Sequence, residues 1–295
     1  MRFVLLLLTV ALVQTGCKRS ASYQDEFFHY GQVRGVLDNA SIDEASGLVA
    51  SKTNPGMLWT HNDSADKAKI FLIDSFGKYQ ATVWLQGATN RDWEDITLGG
   101  GPQPGKAYIY IGEIGDNRIQ YPNKVIYRIA EPEFTGDTTI SIEEVDSIRF
   151  ALPDGERDTE ALMIDPDTKD LYIFSKREAA INLYRLPYPQ STTELMVAEK
   201  VLEAMPFTLI VAADWSADGT EILIKDYKQI YYWQRNRNQP VKEVLQKKPK
   251  LLPYHEEPQG ESVAFAIDGS GYYTLSEQAK GVKPTLMFYP RSKKK

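Results

Sequence analysis

The sequence predicts an all-β fold, a single β-propeller, and three observations carry that expectation. From Gln32 onward, short runs rich in Val, Ile, Tyr, Phe and Trp are broken by Gly, Pro, Asn and Asp, the pattern of strands and tight turns. A unit of apolar strand, tight turn, aromatic strand, polar break and third strand recurs five times. With Pro55, Gly101, Asp167, Asp218 and Gly269 as turn markers, the units are spaced by 46, 66, 51 and 51 residues, the size of a four-stranded blade. Five four-stranded blades are expected, six being the other count the spacing allows, with the ring closed by an N-terminal strand.

Before the repeats lies a targeting pattern. Arg2 precedes the apolar run Phe3 to Val13, whose eleven residues fall short of the roughly 20 that span a bilayer. A positive start, a short apolar stretch and small residues at its end describe a secretory signal. Val13-Gln14-Thr15-Gly16-Cys17 resembles the lipobox of bacterial lipoproteins, with Gln14 where a small or hydrophobic residue is usual. The expected organisation is a signal peptide over 1–16, a lipidated Cys17 and polar tether over 17–26, the propeller over 27–290 and a basic tail over 291–295. An exported protein held to a membrane by its N-terminal lipid, periplasmic or on the cell surface, follows from that reading. The alternative is an ordinary signal peptide with an incidental cysteine.

Gln32 to Leu37 supplies the closing strand. The first blade takes Ser46–Ser51, Met57–His61 and Lys69–Ile73, with a turn at Thr53-Asn-Pro-Gly56; the second takes Glu94–Leu98, Ala107–Ile111 and Lys124–Ile129 around a Gly/Pro turn. The long second interval holds an insertion near Phe134 to Ile142. The third blade takes Glu160–Ile164, Leu171–Phe174 and Asn182–Arg185, and the fourth Ala212–Ser216, Glu221–Ile224 and Gln229–Trp233. Glu261–Ala266, Tyr272–Leu275 and Thr285–Tyr289 form the fifth. Thr193 to Met205 is in conflict: Ser191-Thr-Thr-Glu194 is a capping box and the residues favour helix, whereas the repeat register requires an outer strand. The register is followed here.

In a propeller blade the start of the first strand and the end of the second share one mouth of the ring. The starts carry Asp43, Glu44, Asp92, Trp93, Glu94, Asp95, Asp158, Glu160, Asp214 and Glu261. The ends carry His61, Asn62, Asp63, Glu113, Asp116, Asn117, Lys176, Arg177, Lys225, Asp226, Ser276 and Glu277. Carboxylates dominate that mouth. They can ligate a hard cation through oxygens, as calcium requires, or pair with Lys176, Arg177 and Lys225 in a structural network. The candidate metal ligands are Glu94, Asp95, Glu113, Asp116, Glu160, Asp214, Glu261 and Glu277, with calcium the expected ion. His61, Asn62, Asp63, Lys176, Arg177 and Lys225 are the candidate ligand-binding residues, a small anionic ligand or a protein being the partners considered.

Other chemistry is excluded by what the motifs lack. The chain has 34 Lys and Arg against 40 Asp and Glu, net −6, so nucleic acid is not an expected partner. Three histidines, His29, His61 and His255, are too scattered for a zinc site. No Gly-x-Ser-x-Gly elbow occurs. Gly100 to Lys106 begins like a phosphate-binding loop, but Ala107 replaces Ser or Thr, two prolines remove N–H groups and a strand follows. Asp165 to Asp170 starts like a calcium loop, yet lacks its glycine and places Lys176 where the bidentate Glu belongs.

Glu44-Ala-Ser-Gly-Leu48, Leu58 to Ser64, Asp92 to Ile96, Gly112 to Asn117, Asp158 to Leu162, Ala213 to Gly219 and Gly260 to Phe265 together resemble a family of exported bacterial propeller proteins of largely unassigned activity. Asp158 to Leu162 and Gly260 to Phe265 are also similar to the blade openings of esterase-like and calcium-dependent phytase propellers, and more distantly of SdiA-regulated propellers. The phytase resemblance implies clustered carboxylates holding calcium. Three functions are weighed: a lipid-anchored propeller binding a divalent metal at its acidic mouth; a metal-dependent phosphoester or ester hydrolase; and a protein-interaction platform without metal. In the second, Glu94, Asp95, Glu160 and Glu261 ligate the metal while Lys176, Arg177 and Lys225 orient the anion.

Overall fold

A computed structural model describes residues 26–64, 66–279 and 281–293; the expected signal peptide, Cys17 and nearly all of the expected tether lie outside the described residues. The first strand, β1 (Gln32–Val36), joins the last blade, and the chain then builds the first from β2 (Ala45–Ala50), β3 (Met57–Asn62), β4 (Lys69–Asp74) and β5 (Tyr79–Leu85). The second blade is β6 (Trp93–Gly100), β7 (Ala107–Glu113), β8 (Lys124–Ala130) and, after β9 (Thr139–Ile142), β10 (Asp146–Ala151). The third is β11 (Thr159–Ile164), β12 (Leu171–Ser175), β13 (Ile181–Leu186) and, beyond β14 (Met196–Val197), β15 (Glu199–Met205). The fourth is β16 (Ile210–Trp215), β17 (Glu221–Asp226), β18 (Ile230–Gln234) and β19 (Lys250–Leu252), with α1 (Val241–Leu245) between its last two strands. The fifth is β20 (Gly260–Phe265), β21 (Gly271–Ser276), β22 (Thr285–Pro290) and β1, so strands from both ends of the chain close the ring.

The five blades and the closing strand are those the sequence predicts. Two blades are wider than expected, because the Phe134 to Ile142 insertion lays β9 parallel against β5, and β14 lies parallel against β10. Each added strand covers a sheet edge whose backbone groups would otherwise lack partners. Thr193 to Met205 is extended rather than helical: Met196 and Val197 pair with Phe150 and Ala151, and β15 pairs with β13. Two open edges compete there with local propensity, and pairing prevails. The short α1, absent from the sequence expectation, follows Pro240 and buries Val241, Val244 and Leu245.

The inner strands β2, β11, β16 and β20 are buried at every position, as strands covered on both faces must be. Each lies against the inner strand of the next blade. The apolar side chains gather into five clusters, one between each pair of neighbouring blades: Trp59 meets Trp93 between the first and second, Tyr110 meets Leu162 between the second and third. Phe174 and Ile222 share the third to fourth interface, Tyr232 and Tyr272 the fourth to fifth, and Leu275 and Phe71 the fifth to first. A glutamate outside the repeat pattern latches the first two blades. Glu131, just after β8, accepts from Ser51 Oγ, the N–H groups of Lys52 and Thr53, Thr53 Oγ1 and Trp59 Nε1.

Candidate metal centre

All five inner strands begin at the same mouth, and each carries a register shift there: between Ala45 and Leu48, Trp93 and Ile96, Thr159 and Ala161, Ile210 and Ala212, and Gly260 and Ser262. A bulge sets two residues against one and re-aims a side chain. The residues within the shift are Glu94 and Asp95 in the second blade, Glu160 in the third and Glu261 in the fifth, whereas the fourth has Val211 and the first only Ser46 and Gly47. The acidic residues inside the bulges therefore come from the second, third and fifth blades.

Five carboxylates form an arc across the first three blades. One oxygen from each of Asp63, Asp92 and Glu94 lies within 4.8 Å of the others, and the same holds for Glu94, Asp158 and Glu160, so Glu94 belongs to both groups. Glu94, Asp158 and Glu160 are 3%, 2% and 2% exposed. Glu94 and Glu160 place carboxyl oxygens within 4.8 Å of each other and each perturbs the other's titration, so the pair holds a proton when no cation lies between them. Two cations pair directly with the arc: Lys176 Nζ is 2.6 Å from Glu160 and Arg177 Nε 2.5 Å from Asp158. Glu261 takes a 2.6 Å hydrogen bond from the Tyr227 hydroxyl.

Negative charge exceeds positive charge here, and the titration behaviour shows it. Burial, then the charges of Asp92, Glu261, Glu160 and Glu44, push Asp63 up to about 8. Burial followed by Glu160 holds Glu94 well above the usual carboxylate range, and Glu160 is raised by burial despite Lys176. Glu277 is raised by burial and then by Glu261. Burial alone would lower Lys176, but Glu160, Tyr227, Glu261 and Glu94 around it raise it instead. Asp63 Oδ1 is buried and has no hydrogen-bond partner among the described residues. Oxygen donors in excess of protein cations, one of them orphaned, suit a hard divalent ion such as calcium.

The other candidate residues take different places. Asp95 points into the ring, where it accepts the N–H groups of Ile96 and Leu162 at 2.9 Å and of Ala213 at 3.2 Å, tying three blades together. Asp214 accepts the Phe265 N–H at 2.7 Å, and burial raises it to about 7. Both satisfy backbone donors on inner strands and lie outside the carboxylate arc. Glu113 stands behind it, accepting the N–H groups of Arg91 and Asp92 and so fixing the loop that carries Asp92. Asp116 accepts from Gln120 and Tyr121, and its own N–H donates to Asp158. Asn62 donates to Ser41 O, Asp43 and Asp66, organising its loop.

His61 is fully buried and neutral, with burial depressing it to about 4. Its Nδ1 bonds the Asn62 carbonyl at 2.9 Å, its ring meets the Trp93 ring edge-on, and its Nε2 abuts Gly47, where a Cβ would collide. Lys225 is buried, donates to the carbonyls of Gly260 and Asp226 and lies 4.6 Å from the Tyr254 ring centre; burial lowers it to about 8. Asp92 and Asp158, absent from the candidate ligand set although both were placed at this mouth, prove to be arc members. The signal was the Asp-x-Glu pattern shared by Asp92-Trp-Glu94 and Asp158-Thr-Glu160, which puts one carboxylate before the bulge and one inside it.

No family model matches the chain, and no curated protein matches it. Among solved structures it is similar to Kuenenia stuttgartiensis hydrazine synthase, with a TM-score of 0.43 and 10% identity over 85% of this chain and 72% of that one. The fold and site define a five-bladed β-propeller with a buried acidic cluster at one mouth that could hold a metal ion.

Proposed function

We propose that the protein is an exported, lipid-anchored propeller that binds a divalent cation, calcium, between Asp63, Asp92, Glu94, Asp158 and Glu160. The observation that carries this reading is the arc itself: five carboxylates converge, only two are paired with cations, and a buried Asp63 oxygen has no partner. A divalent ion there would replace the proton held by Glu94 and Glu160 and relieve the mutual repulsion that raises Asp63. The hydrolase reading asks Lys176 and Arg177 to orient an anion, whereas both are held by Glu160 and Asp158. Export and the anchor rest on residues 1–17 alone.

Calorimetric titration of chelator-stripped protein with calcium, magnesium, manganese and zinc tests the metal site. Saturable calcium binding that disappears in Glu94→Gln, with the circular dichroism spectrum unchanged, is the expected result. Absence of binding by any of the four ions at millimolar concentration would leave the arc a carboxylate–cation network. Incorporation of labelled fatty acid, lost in Cys17→Ser, tests the anchor.

A further inference from the structure

The opposite mouth of the ring has the reverse chemistry. At the far ends of the same inner strands lies a cavity of about 440 Å³, in the usual range for a small-molecule site. Its wall is mixed, with Leu98, Trp215 and Phe265 among the apolar lining residues, and the run Gly99 to Gly101 leaves one side without side chains. Lys52, Lys106 and Lys169 also line it. None of the three forms an ion pair with a carboxylate among the described residues, although acidic residues outnumber basic ones in this chain. Lys169 is set in place: its backbone adopts φ +65° in the Asp165 to Asp170 turn, and its ammonium donates to Gly101 O at 3.1 Å beside the Tyr188 ring. That leaves two of its three N–H donors for another acceptor.

Trp215 borders the cavity at an edge only, its ring being 6% exposed and packed against Tyr172 and the Arg235 guanidinium. The one carboxylate in the lining, Asp214, is committed to the Phe265 N–H. An anion is disfavoured at the acidic mouth and is matched here by three lysines. We propose that this cavity is a second binding site, for a small organic anion with an apolar body, its carboxylate, sulfonate or phosphate held by Lys52, Lys106 and Lys169 and its body against Leu98, Trp215 and Phe265.

The described residues close a complete ring without 1–25, so the protein beginning at Lys18 serves for the test. The probe is 8-anilinonaphthalene-1-sulfonate, an aromatic body with one fixed negative charge, followed by fluorescence titration. One-to-one saturable binding is expected. Lys52→Glu with Lys106→Glu should weaken it about 10-fold, the order expected for reversing two charges near one anion. Ala217→Trp, at an exposed lining position, should abolish it by filling the cavity. Uncharged N-phenyl-1-naphthylamine should bind the lysine variant as it binds the parent and fail to bind Ala217→Trp. Absence of sulfonate binding, or binding indifferent to both the lysine reversal and the tryptophan, would overturn the proposal.

Discussion

Replacing Asp63 with asparagine keeps the shape of the side chain and removes the carboxylate that its neighbours oppose most openly. In the folded chain burial and four other carboxylates raise this group from 3.8 to about 8. Between those two pH values the folded state holds a proton that the unfolded state has released, so stability falls as pH rises from about 4 to about 8. The full difference corresponds to about 6 kcal/mol at 1.36 kcal/mol per pH unit. Asp63 keeps some solvent access, and screening reduces the expected effect to about 2 to 4 kcal/mol. Asp63→Asn should therefore unfold about 4 to 10 °C higher than the parent at pH 8 in chelator and at nearly the same temperature at pH 4. Calcium at 100 times its Kd adds about 2.7 kcal/mol to the parent and should add far less to the variant, so most or all of the variant's advantage should disappear. Thermal and urea unfolding at pH 4 to 8, with chelator and with calcium, provide the assay. A variant less stable than the parent at pH 8 in chelator, or one with the parent's pH slope, would refute the repulsion on which the metal reading rests.

Calcium binding near pH 7 should release about two protons, one from the Glu94 and Glu160 pair and most of one from Asp63, read as a dependence of calorimetric heat on buffer ionisation enthalpy. Lys176→Met should tighten calcium about 10-fold by removing the cation that competes for Glu160, and should lower the chelator-stripped protein's urea midpoint at pH 7; unchanged affinity would place the ion away from Glu160. Asp95→Ala leaves the Leu162 and Ala213 N–H groups without an acceptor and should cost about 2 to 5 kcal/mol in urea unfolding, with Asp95→Asn costing less. Glu131→Gln cannot accept all five of its donors and should cost about 2 to 3 kcal/mol, read in the same way.

Blade number, strand order and ring closure were legible in the sequence because they depend on local periodicity and turn chemistry that repeat five times. The acidic mouth was legible for the same reason: once the register is known, strand starts and strand ends fall at one mouth. The extended state of Thr193 to Met205 followed only from the repeat, since its residues favour helix and the deciding groups are the open edges of β10 and β13. The parallel β9 and β14 could not be read, because no local signal tells a segment that a distant edge is free.

Within the mouth, sequence alone gave the residues and not their partners. Glu94 and Asp95 are adjacent in the chain, yet a bulge sends one to the carboxylate arc and the other to the backbone N–H groups of two other blades. Asp92 and Asp158 join the arc because Glu113 and the Asp116 N–H hold their loops in place, contacts that span 21 and 42 residues. The sequence by itself determined the ring, its polarity and the excess of carboxylates at one mouth. Tertiary structure decided which of those carboxylates meet, because their separation depends on where five bulges aim side chains from different blades, a property of the closed ring that no blade possesses alone.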